Sequence, residues 1–180
     1  MLHSLKYPPL EQINHLEGKG NFAVRKYYKF PYRWFYRHKL AMIVKMMGKS
    51  HYNRLLDFGS GSGIFIPELK RHANFVTLVD RFSVIKPEWR FNAIVCASVL
   101  EFVSLEFILH ILHGITAPHG TIFVASPMDT PLSQFYFKLI GDKNVRNTHK
   151  QIKLAVAHHY ILEEYTEWFG LYFCLKARKK

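Results

Sequence analysis

Between Leu55 and Gly63 the chain reads Leu-Leu-Asp-Phe-Gly-Ser-Gly-Ser-Gly. Three glycines at alternate positions behind an apolar run are what a chain needs where a ligand lies against bare backbone. A strand, a tight glycine loop and a helix in succession place that ligand at the carboxyl end of the first strand. Asp57, Gly59, Ser60, Gly61 and Gly63 are therefore the candidate binding residues. Asp80 follows 23 residues after Asp57, at the end of a second apolar run. A carboxylate there accepts hydrogen bonds from both hydroxyls of a ribose. The spacing also separates possible ligands. A dinucleotide fingerprint requires its third glycine at position 64, which is Ile64. A P-loop requires Gly-Lys followed by Ser or Thr, and none follows here. The acid ahead of the first glycine repels a pyrophosphate and attracts an ammonium group. The loop suits an adenosine that carries a cationic amino-acid tail.

Alternating elements must hold this loop in place. Tyr36, Leu40, Ile43 and Met47 recur at helical spacing, so a helix is predicted from about Arg33 to Met47, with Gly48 as its stop. Strands are predicted at 53–58, 75–79, 91–97 and 121–125, the last after a Pro118-His119-Gly120 turn. Helices are predicted at 64–71, behind a Ser104 cap with Leu105, Ile108, Leu109, Leu112 and Ile115 on one face, and from a Thr148/Gln151 capping box to about His159. Two last strands, near 160–168 and 171–178, are too close for a helical crossover and should pair antiparallel. The pattern predicts an α/β Rossmann-like domain, with a mainly parallel sheet covered on both faces. Residues 1–29, with Pro8-Pro9 and Gly18-Lys19-Gly20, read as a basic N-terminal arm ahead of a domain spanning 30–180.

Over roughly residues 53–127, with a weaker echo at 160–178, the sequence resembles the class I S-adenosylmethionine-dependent methyltransferases, in particular the small-molecule branch with the ubiquinone and menaquinone enzymes. Asp57, Gly59, Gly61 and Gly63 match that family's first motif, and Asp80 its ribose-binding acid. Phe91-Asn92-Ala93-Ile94-Val95 followed by Val99-Leu100-Glu101-Phe102-Val103 resembles its fourth-strand motif, and Ala117-Pro118-His119-Gly120 its next turn. The resemblance implies S-adenosylmethionine as cofactor, held by Asp57, Gly59, Ser60, Gly61, Gly63, Asp80, Arg81 and Ser98, with no metal. It also implies a methyltransferase acting on a small or lipid-linked acceptor.

The chain departs from that family in three places. Only ten residues separate Asp80 from Phe91, too few for the usual helix and edge strand. A six-stranded sheet lacking the third strand is predicted, with the adenine side open or closed by Phe82, Trp89 or a partner chain. A catalytically silent subunit is the alternative this loss suggests. Asn92 and Phe102 replace the family's usual Asp and His. Ser126-Pro127-Met128 is not the signature of enzymes that methylate exocyclic amines.

No catalytic base stands out. His110, His113, His119, His158 and His159 read as structural or solvated. Acceptor-binding elements are expected within 128–147, where Phe135, Tyr136, Phe137 and Leu139 line a pocket or pack as a lid.

Apolar residues make up 49% of the chain, enough for one well-packed domain of 180 residues. Cys96 and Cys174 lie in apolar runs without metal-site spacing, and no run is long enough to span a bilayer. A cytoplasmic protein, peripheral to a membrane at most, is expected. Of the net charge of +12, residues 1–54 carry +9. From Tyr27 to Lys39 bases alternate with aromatics, and Arg33, Arg37 and Lys39 suit the phosphates of an anionic membrane. Tyr28 and Arg33 are candidate cofactor or acceptor contacts. The same segment also suits RNA, so an RNA methyltransferase is a further alternative.

Overall fold

The structure is a computed structural model that describes residues 30, 32–80, 85–139 and 147–180. The predicted arm, Tyr28, Arg81 and Phe82 lie outside the described residues, as do the side chains of Phe137 and Leu139. In chain order the elements are α1 (Tyr32–Met47), β1 (Tyr52–Phe58), α2 (Ile66–Leu69), β2 (Ala73–Val79) and β3 (Phe91–Ala97). A 3-10 turn (Leu100–Phe102), α3 (Leu105–Ile115), β4 (Thr116–Pro127), α4 (Pro131–Leu139), α5 (His149–His159), β5 (Tyr160–Trp168) and β6 (Tyr172–Lys179) follow.

These strands form one six-stranded sheet in the order β2-β1-β3-β4-β6-β5. β1 pairs parallel with β2 and β3, and β3 parallel with β4, while β6 runs antiparallel between β4 and β5. Period-two alternation divides the sheet residues between two cores. Leu55, Ala93, Val95, Phe123, Ala125, Tyr172 and Cys174 face α1 and α2. Leu56, Ile94, Cys96, Ile122, Val124, Phe173 and Leu175 face α3 and α5. Leu40, Ile43 and Met47 of α1 are buried as their spacing predicts, and so are Leu109, Leu112 and Ile115 of α3. Each such side chain contributes about 1.5–3 kcal/mol on burial.

The missing third strand is visible in the connection from β2 to β3. That connection must climb back over β1, and among its described residues no helix or strand forms. Ile85 and Trp89 pack instead against the core that α3 covers. Trp89 meets Phe91 edge-on, with ring centroids 5.9 Å apart, at the amino end of β3. It therefore lies at the opposite end of the sheet from the glycine loop, which corrects its reading as a cover for the adenine side. β2 is left as an edge strand, with Phe75 65% and Leu78 41% exposed.

Other boundaries differ for local reasons. The helix expected over 64–71 shrinks to Ile66–Leu69 because Pro67 fits only a first helical turn. β4 begins at Thr116 and accommodates the predicted turn as a bulge, Phe91 pairing Thr116 and Ala93 pairing Thr121. Ser104 stands at the N-cap of α3, but its side chain makes no capping bond. The Thr148/Gln151 box is complete: Thr148 Oγ1 accepts from the Gln151 amide at 3.3 Å, and the Thr148 amide donates to Gln151 Oε1 at 2.8 Å.

Candidate active site

β2 lies on one side of β1 and β3 on the other, so the strand order reverses between β1 and β3. In open α/β sheets the crevice at such a reversal, outside the carboxyl ends of the strands, is the usual ligand site. The glycine loop opens there. The Gly59 and Ser60 amides both donate to Val79 O, at 2.7 and 3.2 Å, tying the loop to the end of β2 just before Asp80. The Gly63 amide closes the turn on Ser60 O at 2.8 Å. Gly59, Gly61 and Gly63 all have positive φ, which excludes most other residues. Their surroundings differ. A Cβ on Gly59 would meet Val99 at 2.6 Å and one on Gly63 would meet Ile66 at 2.5 Å, whereas one on Gly61 would enter open space. Gly59 and Gly63 thus serve packing, and Gly61 leaves room beside the loop.

Three carboxylates stand near these strand ends. Asp57 is 2% exposed, and burial, helped by the charge of Asp80, pushes its carboxyl up to about 7. Glu101, in the 3-10 turn after β3, is buried and accepts a hydrogen bond from Ser126 Oγ at 2.6 Å. Both push the Cys96 thiol further above its ordinary value, after burial itself. Asp80 is partly buried, at the tip of β2. Buried acids of one sign favour a cationic ligand.

Ser98, at the tip of β3, has a left-handed backbone (φ 57°), and its amide donates to Ala125 O at 2.8 Å. Its hydroxyl accepts a hydrogen bond from the Lys39 ammonium. Lys39 is 1% exposed, and its Nζ lies 4.4 Å from the Tyr36 ring centroid and 5.3 Å from that of Phe35. This corrects its reading as a membrane contact: a lysine enclosed between α1 and the sheet cannot reach headgroups. Arg33 is exposed and Arg37 half-buried. Ser62, in the glycine loop, is buried, and among the described residues its hydroxyl has no hydrogen-bond partner. Lys39 and Ser62 are candidate site residues that sequence reasoning missed.

The region after β4 adds a third missed feature. Asp129 is in contact with His149 Nδ1 at the start of α5. Burial, then the charge of Lys150, lowers the His149 pKa from its ordinary value. Asn147 fixes this start by donating to Leu100 O and Val103 O, both at 2.7 Å. Tyr136 of α4 stacks on Phe35 at 5.0 Å, consistent with a lid, while Phe135 points out to solvent. His110, His119 and His158 are exposed, and His113 and His159 lie together with ring centroids 5.6 Å apart. Among the described residues no group of three or more His, Cys, Asp or Glu is placed to hold a metal.

No family model matches the chain, and no curated protein does. Solved structures do. The N-methyltransferase NodS from Bradyrhizobium japonicum WM9, in complex with S-adenosyl-L-homocysteine, matches with TM-score 0.68 at 15% identity, over 93% of this chain and 97% of that one. Geranyl diphosphate C-methyltransferase from Streptomyces coelicolor A3(2) matches with TM-score 0.65 at 10% identity, over 82% of each chain. An S-adenosylmethionine-dependent methyltransferase from Mesorhizobium loti matches with TM-score 0.62 at 11% identity, over 77% of this chain and 96% of that one. The chain therefore has the fold of the class I S-adenosylmethionine-dependent methyltransferases.

Proposed function

We propose that this protein is an S-adenosylmethionine-dependent methyltransferase acting on a small or lipid-linked acceptor. The carrying observation is the glycine loop at the strand reversal, where Gly61 leaves open space and which follows the buried Asp57 at the end of β1. The solved structures of the same fold that hold S-adenosyl-L-homocysteine support the choice of cofactor. When bound, the cofactor supplies an electrophilic methyl group on a sulfonium. The chain's own residues then have distinct tasks. Asp57 would meet the ammonium of the cofactor's tail, and Asp80 and Arg81 would hold the ribose. The backbone of Gly59, Ser60, Gly61 and Gly63 lies along the ligand, with the Ser62 hydroxyl at hand. Ser98 would approach the cofactor from the tip of β3, and Lys39, which donates to it, would offer a cation to the tail's carboxylate. His149, oriented by Asp129, is the candidate to accept a proton from an acceptor hydroxyl or amine.

Calorimetry with S-adenosylhomocysteine tests the proposal. Binding by the intact chain and its loss in Gly61→Val are expected, because a branched side chain at that position fills the ligand's space. No binding to the intact chain rejects the assignment. Two other readings rest on specific observations. The absent third strand favours a methyltransferase-like subunit without activity, which binds cofactor but transfers no label from radiolabelled S-adenosylmethionine to lipid extract or RNA. The +9 charge of residues 1–54 favours an RNA methyltransferase, which labels RNA and not lipid.

A further inference from the structure

Charge is divided unevenly between the two ends of the sheet. Acids stand at the carboxyl ends of the strands: Asp57 in β1, Asp80 after β2, Glu101 after β3 and Asp129 after β4. At the amino ends of β1 and β2 the balance reverses. Residues 45–56 and 68–79 contain five bases, Lys45, Lys49, Arg54, Lys70 and Arg71, and all five are exposed. The one acid in these stretches, Glu68, is 2% exposed and engages Arg71 at 3.2 Å. Among the described residues no acid pairs with the other four bases.

Hydrogen bonds hold these bases in one place. The Tyr52 amide donates to His72 O at 2.8 Å, and His51 Nε2 donates to Asn74 Oδ1 at 2.8 Å, tying the segment after α1 to the turn before β2. Asn74 Nδ2 donates in turn to Asn53 Oδ1 at 3.3 Å. On the sheet itself Arg54 lies in register with Phe75, and on its other side its guanidinium is 5.4 Å from the centroid of the Phe91 ring. Residues in register on parallel strands project to the same face, so the Phe75 ring, 65% exposed, stands beside an arginine. The short connection after Asp80 accounts for the open ring, because among the described residues no strand lies outside β2.

We propose that this corner binds single-stranded RNA, with Lys45, Lys49, Arg54 and Lys70 on phosphates and a base stacked on Phe75. Four exposed cations without an acid among them attract a polyanion, and release of its counterions drives the binding. An open aromatic ring beside an arginine favours unpaired bases, since a base inside a duplex cannot offer its face. One ring among so many charges supplies too little apolar area to enter an acyl layer. The exposed amides of Asn53, Asn74 and Asn92 at the same strand ends suit 2′-hydroxyls and base edges. β1 is seven residues long, which separates this corner from the crevice by about 20 Å. The acids at the crevice repel the same polyanion. Docking is therefore separate from methyl transfer and does not depend on the methyltransferase reading.

Titration of the full chain into a short fluorescent oligo(U), read by anisotropy, tests the proposal. Binding is expected, with affinity falling about fiftyfold between about 50 and 200 mM sodium chloride, the dependence of four phosphate contacts on a single strand. Lys49→Gln, Arg54→Gln and Lys70→Gln should each weaken binding about fivefold at about 0.1 M salt and reduce the logarithmic salt slope by about 0.7. Phe75→Ser should weaken binding about tenfold and leave the slope unchanged, because the ring carries no charge. Lys150→Gln, at an exposed base at the start of α5, should bind like the unmodified chain. Every variant should keep the affinity for S-adenosylhomocysteine. The proposal is overturned by no binding of oligo(U), by undiminished binding in the four variants, or by an equal loss in Lys150→Gln. Tighter binding of oligo(dU), or retention on phosphatidylglycerol vesicles in place of oligo(U), also overturns it. Oligo(U) binding that depends on these residues, without S-adenosylhomocysteine binding, leaves the docking intact and rejects the methyltransferase reading.

Discussion

Asp57 links stability and binding at one residue. Its carboxyl rises to about 7 in the folded chain, chiefly by burial, and lies in the ordinary carboxylate range when unfolded. Between those values the folded chain holds a proton that the unfolded chain has lost. Stability therefore falls as pH rises through that window, and the loss is complete above about 7. Asp57→Asn removes the penalty, so at pH 8 the ligand-free variant should be more stable by about 2–4 kcal/mol, which urea denaturation at pH 5 and pH 8 measures. The same change should weaken S-adenosylhomocysteine binding, because the ammonium loses its anion. In the unmodified chain that affinity should drop below pH 7, where Asp57 must release a proton to meet the ligand. Sequence alone reveals the acid and the glycines, since their types and spacing carry the chemistry. Their division of labour is not legible there, because it depends on what folds against each glycine, such as Val99 in the segment after β3 against Gly59. Ser62 was passed over for the same reason: an orphaned hydroxyl is a property of surroundings.

Elements decide where charge can go. The spacing of α1 identifies its apolar stripe of Leu40, Ile43 and Met47. It does not show that Lys39, beside that stripe, reaches past Phe35 and Tyr36 to Ser98 at the tip of β3. A lysine enclosed in this way gives little net stability, because desolvation opposes its contacts. Lys39→Met should accordingly leave the thermal midpoint unchanged or raise it. If Lys39 serves the carboxylate of the cofactor's tail, the variant should lose about 1.5–3 kcal/mol of S-adenosylhomocysteine affinity. It should bind 5′-methylthioadenosine, which lacks the tail, as well as the unmodified chain does; parallel titrations separate the two cases. At α5 the sequence was sufficient, because the Thr148/Gln151 box is local. Thr148→Ala should cost about 1 kcal/mol of stability in a denaturant titration. Ser104 shows the limit of that reasoning: the residue type is right, yet the hydroxyl makes no capping bond.

At the scale of the whole molecule, the short connection after Asp80 has the largest effect. Ten residues are enough to predict six strands, and the sheet has six. They cannot show what remains uncovered. Among the described residues β2 is an edge strand whose residues, Ala73 to Val79, include no charge and no proline, and Phe75 is 65% exposed. Such an edge is a template for pairing with another strand, because nothing on it repels a partner. The net charge of +12 acts against that pairing by keeping molecules apart. The two effects respond oppositely to salt. Screening shortens the reach of the charge to about 3 Å at 1 M ionic strength, while apolar and backbone pairing is untouched. Light scattering should therefore detect self-association that grows with added sodium chloride. Phe75→Lys places a charge on the edge and removes its largest exposed ring. The variant should stay monomeric at high salt and keep its affinity for S-adenosylhomocysteine, since Phe75 pairs with Arg54 toward the amino end of β1, away from the glycine loop. Association that persists in Phe75→Lys would assign the contact to another surface.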